Sequence, residues 1–137
     1  MARRKGMFKL GGAIVALAAI AWLLRACYGV FHDTEDRPAA DRIVAAAHAY
    51  HQAKGQYPPS LDALVPEYLP ALPTPRRFGS IGYAALDSGR GCLVGYYTHR
   101  DWLDEYDCGT KAWGSVEYND SRLVKTPAPQ WLHGPRQ

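Results

Sequence analysis

Residues 10–24 (LGGAIVALAAIAWLL) run without a charge, directly behind Arg3, Arg4, Lys5 and Lys9. A greasy run with a one-sided basic flank suits a membrane better than the core of a small domain. As an α-helix it spans roughly 22 Å, short of the roughly 30 Å hydrocarbon core. Continuing to Phe31 lengthens it, interrupted only by Arg25, whose long side chain reaches the headgroups. Cations ahead of the run stay cytoplasmic, so the remainder of the chain is exported. The sequence therefore predicts a basic leader and anchor over 1–31: a single pass of the bacterial inner membrane with the rest of the chain periplasmic.

Two other fates use the same signal. Leu24-Arg25-Ala26-Cys27 resembles a lipobox, with Arg25 departing from its pattern, and makes Cys27 a candidate lipidation site. Plain cleavage of the leader is the other. Charge obeys the same division. Residues 1–31 carry five cations and no acid, whereas 32–137 carry eleven basic against thirteen acidic side chains. The basicity belongs to the leader, and neither Arg3-Arg4-Lys5 nor Arg76-Arg77 is interleaved with aromatics, so no nucleic-acid partner is expected. Cysteine usage fits export. With Cys27 in or beside the anchor, Cys92 and Cys108 are the one pair left, and in an oxidising compartment they most simply bond to each other. Such a closure contributes about 3 kcal/mol in the chain-entropy model. Two unrelated thiols are the alternative.

The exported part reads as a domain over 32–118 and a Pro-rich extension over 119–137. Thr34 or Asp36 can cap a helix over 37–54, with Pro38 near its start, a stripe of Ala40, Ile43, Val44, Ala47 and Tyr50, and Gly55 as a left-handed stop. Ser60 can cap a short turn carrying Leu61, Leu64 and Val65, held between the extended arms Tyr57-Pro58-Pro59 and Tyr68-Leu69-Pro70. Period-two alternation comes next at Ile81, Tyr83 and Ala85, then a turn at 87–91, a second strand at 92–98 and a third at 113–118. The segment 99–111 is expected as an acidic loop, and 119–137 as a loosely docked tail.

These residues resemble a known family. The helix end Ala49-Tyr50-His51-Gln52-Ala53-Lys54-Gly55-Gln56-Tyr57-Pro58, continued by Ser60-Leu61-x-x-Leu64-x-Pro66-x-Tyr68-Leu69-x-x-Leu72-Pro73, is similar to the type II secretion pseudopilins and related type IV pilin-like proteins. The likeness covers about 7–98 as architecture and is specific over about 43–73. It implies an α+β, pilin-like fold: an N-terminal transmembrane helix, then an amphipathic helix packed on a three- to four-stranded antiparallel sheet. Arg3-Arg4-Lys5-Gly6 before Met7-Phe8 echoes the family's processed leader, with Gly6 at the cleavage position. Gly11 stands where the family has the glutamate that neighbouring subunits use, and Lys9 is charged. The departures point to an anchored domain that does not polymerise.

Chemistry is sparse. His48 and His51 sit three apart on the helix, but His-x-x-His alone is a weak metal signal and surface histidines are the plainer reading. Asp101, Asp104, Glu105 and Asp107 beside Cys108 form either a solvated loop pinned by the disulfide or an oxygen-rich calcium loop of the kind major pseudopilins carry. No metal or organic cofactor is otherwise expected. Tyr83, Tyr96, Tyr97, Trp102, Tyr106, Trp113 and Tyr118 make the sheet region aromatic, as core, cross-strand pairs or a protein-binding face. No nucleophile motif surrounds any histidine. The sequence thus predicts a non-enzymatic interaction or assembly role in a secretion- or pilus-type system, with protein partners and the membrane. The alternative is a periplasmic lipoprotein that inhibits, or gives immunity to, a toxin or hydrolase.

Overall fold

The computed structural model describes residues 18–23, 36–77, 79–99 and 101–135. The chain divides into two units, Met1–Thr34 and Glu35–Gln137. Of the first, residues 18–23 are helical, with Ile20, Trp22 and Leu23 exposed. Gly6, Cys27 and most of the anchor lie outside the described residues. Among the described residues no helix is long and apolar enough to cross a membrane.

The second unit begins with α1, Arg37–Lys54, which has proline in its first turn. Ala40, Ile43, Val44, Ala46 and Ala47 are buried along one stripe, as the helical spacing requires. Gly55 ends it at φ +78°, and its N–H donates to the His51 carbonyl. A residue with a Cβ would be strained at that φ. Asp36 occupies the N-cap position, but its side chain does not cap α1. The buried carboxylate instead accepts the Arg76 N–H at 2.7 Å, tying the Pro-rich loop to the start of the helix. Nor does Ser60 cap the next turn, a 3₁₀ helix at Leu61–Leu64 that buries both leucines. The Leu61 N–H is taken by Gln130 Oε1 at 2.7 Å, from a distant part of the chain.

Five antiparallel strands complete the unit: β1 Ser80–Leu86, β2 Gly91–His99, β3 Trp102–Asp107, β4 Ala112–Glu117 and β5 Gln130–His133, in the order β4-β3-β2-β1-β5. The α+β class is as expected, but the sheet has five strands rather than three or four. The extra pair are β3, inside the segment expected as a loop, and β5, inside the tail expected to dock only loosely. One face of the sheet presents Ile81, Tyr83, Cys92, Val94, Tyr96 and Tyr106 to a core shared with α1 and the Leu61–Leu64 turn. The opposite face carries a smaller cluster of Ala84, Leu93 and Leu123.

The opposite face explains the tail. Gly82 and Gly95 are directly opposed on β1 and β2, leaving a hollow in the sheet. Leu123, from the short helix α2 (Arg122–Lys125), fills it and is fully buried. A Cβ on either glycine would come within 2.8 Å of Leu123 Cδ2, closer than Cβ atoms pack. The chain then returns as β5 along the free edge of β1.

Candidate functional site

The four acids expected in one loop are distributed by the pleat of β3. Asp101 is exposed in the turn before the strand. Asp104 lies opposite Tyr96, on the α1 side, and accepts the Tyr96 hydroxyl at 2.8 Å and the Ser115 hydroxyl. Glu105 projects to the other face, where it is buried and accepts the Ser121 hydroxyl at 2.7 Å and the Leu123 N–H at 2.9 Å. Asp107 accepts the Gly109 and Thr110 N–H groups and pairs with Arg122. Those donors hold the Asp107 carboxyl below the usual carboxylate range, against a contrary push from burial. Two of the acids therefore dock the tail. Among the described residues no group of three or more His, Cys, Asp or Glu could hold a metal ion together.

Cys92, in β2, and Cys108, directly after β3, stand at disulfide distance, Cα atoms 5.1 Å apart. Beside them the two helix histidines are drawn into an aromatic cluster. His51 stacks on Tyr57, with centroids 4.3 Å apart. His48 meets Tyr57 and Tyr106 edge-on, its Nδ1 3.3 Å from Tyr57 Oη and its Nε2 3.0 Å from Tyr106 Oη. The single Tyr57 hydroxyl proton goes to the Cys108 carbonyl at 3.2 Å. His48 Nδ1 must then carry a proton and donate to Tyr57, leaving Nε2 to accept from Tyr106. A neutral imidazole satisfies every member of the chain. Burial, then Lys111 and His51, push the His48 pKa below its ordinary value.

That depression fixes the sign of a pH effect. Below about pH 6.5 the unfolded chain takes up a proton at this position more readily than the folded one, so acidification favours unfolding. The loss begins near the ordinary histidine pKa and continues down to the depressed one. Urea melts from pH 7.5 to 5 should show wild-type stability falling more steeply than that of His48→Gln. Identical slopes would remove this account.

The exposed aromatic surface lies elsewhere. Among the described residues of the folded unit, Trp102 (47% exposed) and Tyr118 (40%) are the large aromatics left most open to solvent. They flank one end of the β3–β4 pair: Trp102 opposes Glu117, and the Tyr118 N–H donates to the Asp101 carbonyl at 2.7 Å. Tyr118 stacks on Tyr97, which in turn lies against Trp131. Beside Trp102 opens a shallow cleft of about 330 Å³ lined also by Thr98, His99, Asp104 and Ser115. Two of its polar side chains are occupied: Thr98 donates to the Trp102 carbonyl, and Ser115 to Asp104.

Of the expected aromatics, Tyr83, Tyr96 and Tyr106 are buried, and Trp113 is partly buried beneath the Arg37 guanidinium at 4.1 Å. No sequence motif marks His99, Thr98 or Ser115 as part of the site. Only the strand character of β3 brings them together. Ser80 Oγ lies 2.8 Å from His133 Nδ1, an exposed cross-strand pair for which no carboxylate among the described residues orients the ring. No protein-family model, no curated protein and no solved structure matches this chain.

Proposed function

We propose that the chain is a membrane-tethered periplasmic protein of the pseudopilin-like kind, whose folded unit binds a protein partner and performs no chemistry. The observation that carries the reading is the exposure of Trp102 and Tyr118, on the two faces at the same end of the β3–β4 pair. Exposed large aromatics at one end of an otherwise packed domain are characteristic of interaction surfaces. The hydroxyls of Thr98 and Ser115 are already engaged within the sheet, which favours recognition over nucleophilic chemistry there. The tether is supported by the uncharged run behind the basic leader and by the solvent-facing Ile20, Trp22 and Leu23 within it.

Photo-crosslinking in the native membrane tests this. A photoreactive residue at position 102 of the full chain is expected to give a discrete adduct. A second probe at Asp62, exposed elsewhere, should give none. Tyr118→Ala should abolish the adduct while the thermal melt still shows a cooperative fold. Equal labelling from both probes overturns the binding reading, and recovery of the intact chain among soluble cytosolic proteins overturns the tether. A palmitate-analogue label lost on Cys27→Ser would replace the helix anchor with a lipid one.

A further inference from the structure

The two edges of the sheet differ. β5 is four residues long and bracketed by Pro129 and Pro135, the usual means of closing an edge to further pairing. β4 is six residues long, contains no proline, and exposes Ala112, Gly114, Ser115 and Glu117. A Cβ placed on Gly114 meets nothing within 4 Å.

The hydrogen-bond phase of β4 is fixed from both sides. Cys108 N–H donates to the Cys92 carbonyl, and Tyr118 N–H to the Asp101 carbonyl. Because bonds alternate along antiparallel ladders, residues 103, 105 and 107 of β3 bond to β4, through their opposites Val116, Gly114 and Ala112. Trp113, Ser115 and Glu117 therefore turn their backbone N–H and C=O groups to the open side.

We propose that this edge pairs with the β4 edge of a second copy of the chain, antiparallel about a two-fold axis at Gly114, joining two five-stranded sheets into one. A strand pairing with itself must be antiparallel and isologous. Outward-facing residues 113, 115 and 117 can pair only with one another or with 111 across such an axis. Centred on Gly114, Trp113 opposes Ser115 of the second copy and residues 112–116 pair along the strand. The same register brings Lys111, in the turn just before β4, to the neighbourhood of Glu117 at both ends. Neither side chain is in an ion pair among the described residues of one copy. A register centred on Trp113 pairs only residues 112–114, and one centred on Ser115 keeps the overlap but leaves these charges unmatched. This edge ends beside the partner surface, since Glu117 opposes Trp102 and precedes Tyr118, so the two readings are separated by their variants: the charge swap at 111 and 117 tests the edge, and Tyr118→Ala tests the partner surface.

The register makes a sharp test in the full chain. Across the axis, two copies of residue 114 form a non-hydrogen-bonded pair with Cα atoms about 4.5 Å apart, within disulfide reach. Under mild oxidation Gly114→Cys should form a disulfide-linked dimer well above the wild-type background that Cys27 sets. Ala112→Cys, whose two copies would lie about 13 Å apart along the strands, should not. Adding Glu117→Lys to Gly114→Cys should return the yield to background, and Lys111→Glu with it should restore dimerisation. Sedimentation of the wild-type chain in detergent should independently show a concentration-dependent dimer. A monomer at every concentration overturns the proposal. So do equal crosslinking from positions 112 and 114, and a yield indifferent to the charge swap.

Discussion

Replacing Leu123 by alanine is expected to lower the stability of the folded unit by about 2–5 kcal/mol, although the residue sits in a four-residue helix near the C-terminus. A helix of one turn has no stability of its own. α2 exists because it is held: Ser121 accepts the Val124 N–H, Glu105 accepts the Leu123 N–H, Arg122 pairs with Asp107, and Leu123 fills the hollow over Gly82 and Gly95. The polar ties position the turn, but the apolar plug carries the burial. Its removal leaves a cavity against β1 and β2 that the sheet cannot close, because both opposing positions are glycine. Urea denaturation of wild type and variant measures the loss, and a change under about 0.5 kcal/mol would place Leu123 with ordinary surface residues. A coupled variant sharpens the test. Gly95→Ala should destabilise by crowding Leu123, and the Gly95→Ala/Leu123→Ala double variant should be more stable than the two losses summed, since each change relieves the other. Strict additivity would show that the two positions do not touch.

The same contacts show what the sequence could and could not reveal. α1 is legible at both ends because Pro38 and Gly55 act locally, through restricted or permitted backbone angles, and its stripe because Ala40, Ile43 and Ala47 repeat at the helical period. The β1–β2 hairpin is legible for similar reasons. β3 is not. Its residues Trp102, Leu103, Asp104, Glu105, Tyr106 and Asp107 place an acid on each face, so neither face reads as apolar and the alternation is hidden. Those acids are there because distant residues need them: Glu105 serves Ser121 and Leu123, and Asp104 serves Tyr96 and Ser115. β5 is hidden by the same logic. Pro127, Pro129 and Pro135 mark the tail as irregular, while the feature that orders it, a pair of glycines opposed across two strands, lies about thirty to fifty residues upstream. The helix caps fail likewise, since Asp36 and the Leu61 N–H find partners at Arg76 and Gln130 rather than nearby. The candidate site shares the difficulty: while β3 reads as a loop, nothing joins Trp102 to Ser115 or to Tyr118. Local chemistry is readable, and long-range satisfaction of polar groups is not.

Reduction of the Cys92–Cys108 pair should cost the folded unit about 3 kcal/mol in the chain-entropy account of a short closed loop. Cys92 lies near the start of β2 and Cys108 directly after β3, so the bond fastens the open end of that hairpin, away from its turn. Both cysteines are buried, and the Cys108 carbonyl holds the Tyr57 hydroxyl, so loosening this end also disturbs the Tyr57–His48–Tyr106 chain that seats α1 on the sheet. Urea melts with and without reductant should differ by about that amount for wild type. The Cys92→Ala/Cys108→Ala variant should fall near the reduced protein and ignore reductant. Tyr57→Phe, which removes one hydrogen-bonding group and leaves the covalent closure, should cost only about 1 kcal/mol. Redox dependence bears on location as well as stability. A reducing cytosol would hold the two thiols apart, so a domain that depends on their bond is suited to an oxidising compartment, where the basic leader is expected to deliver it. Equal stability in both redox states would break that link, leaving export to be argued from the leader alone.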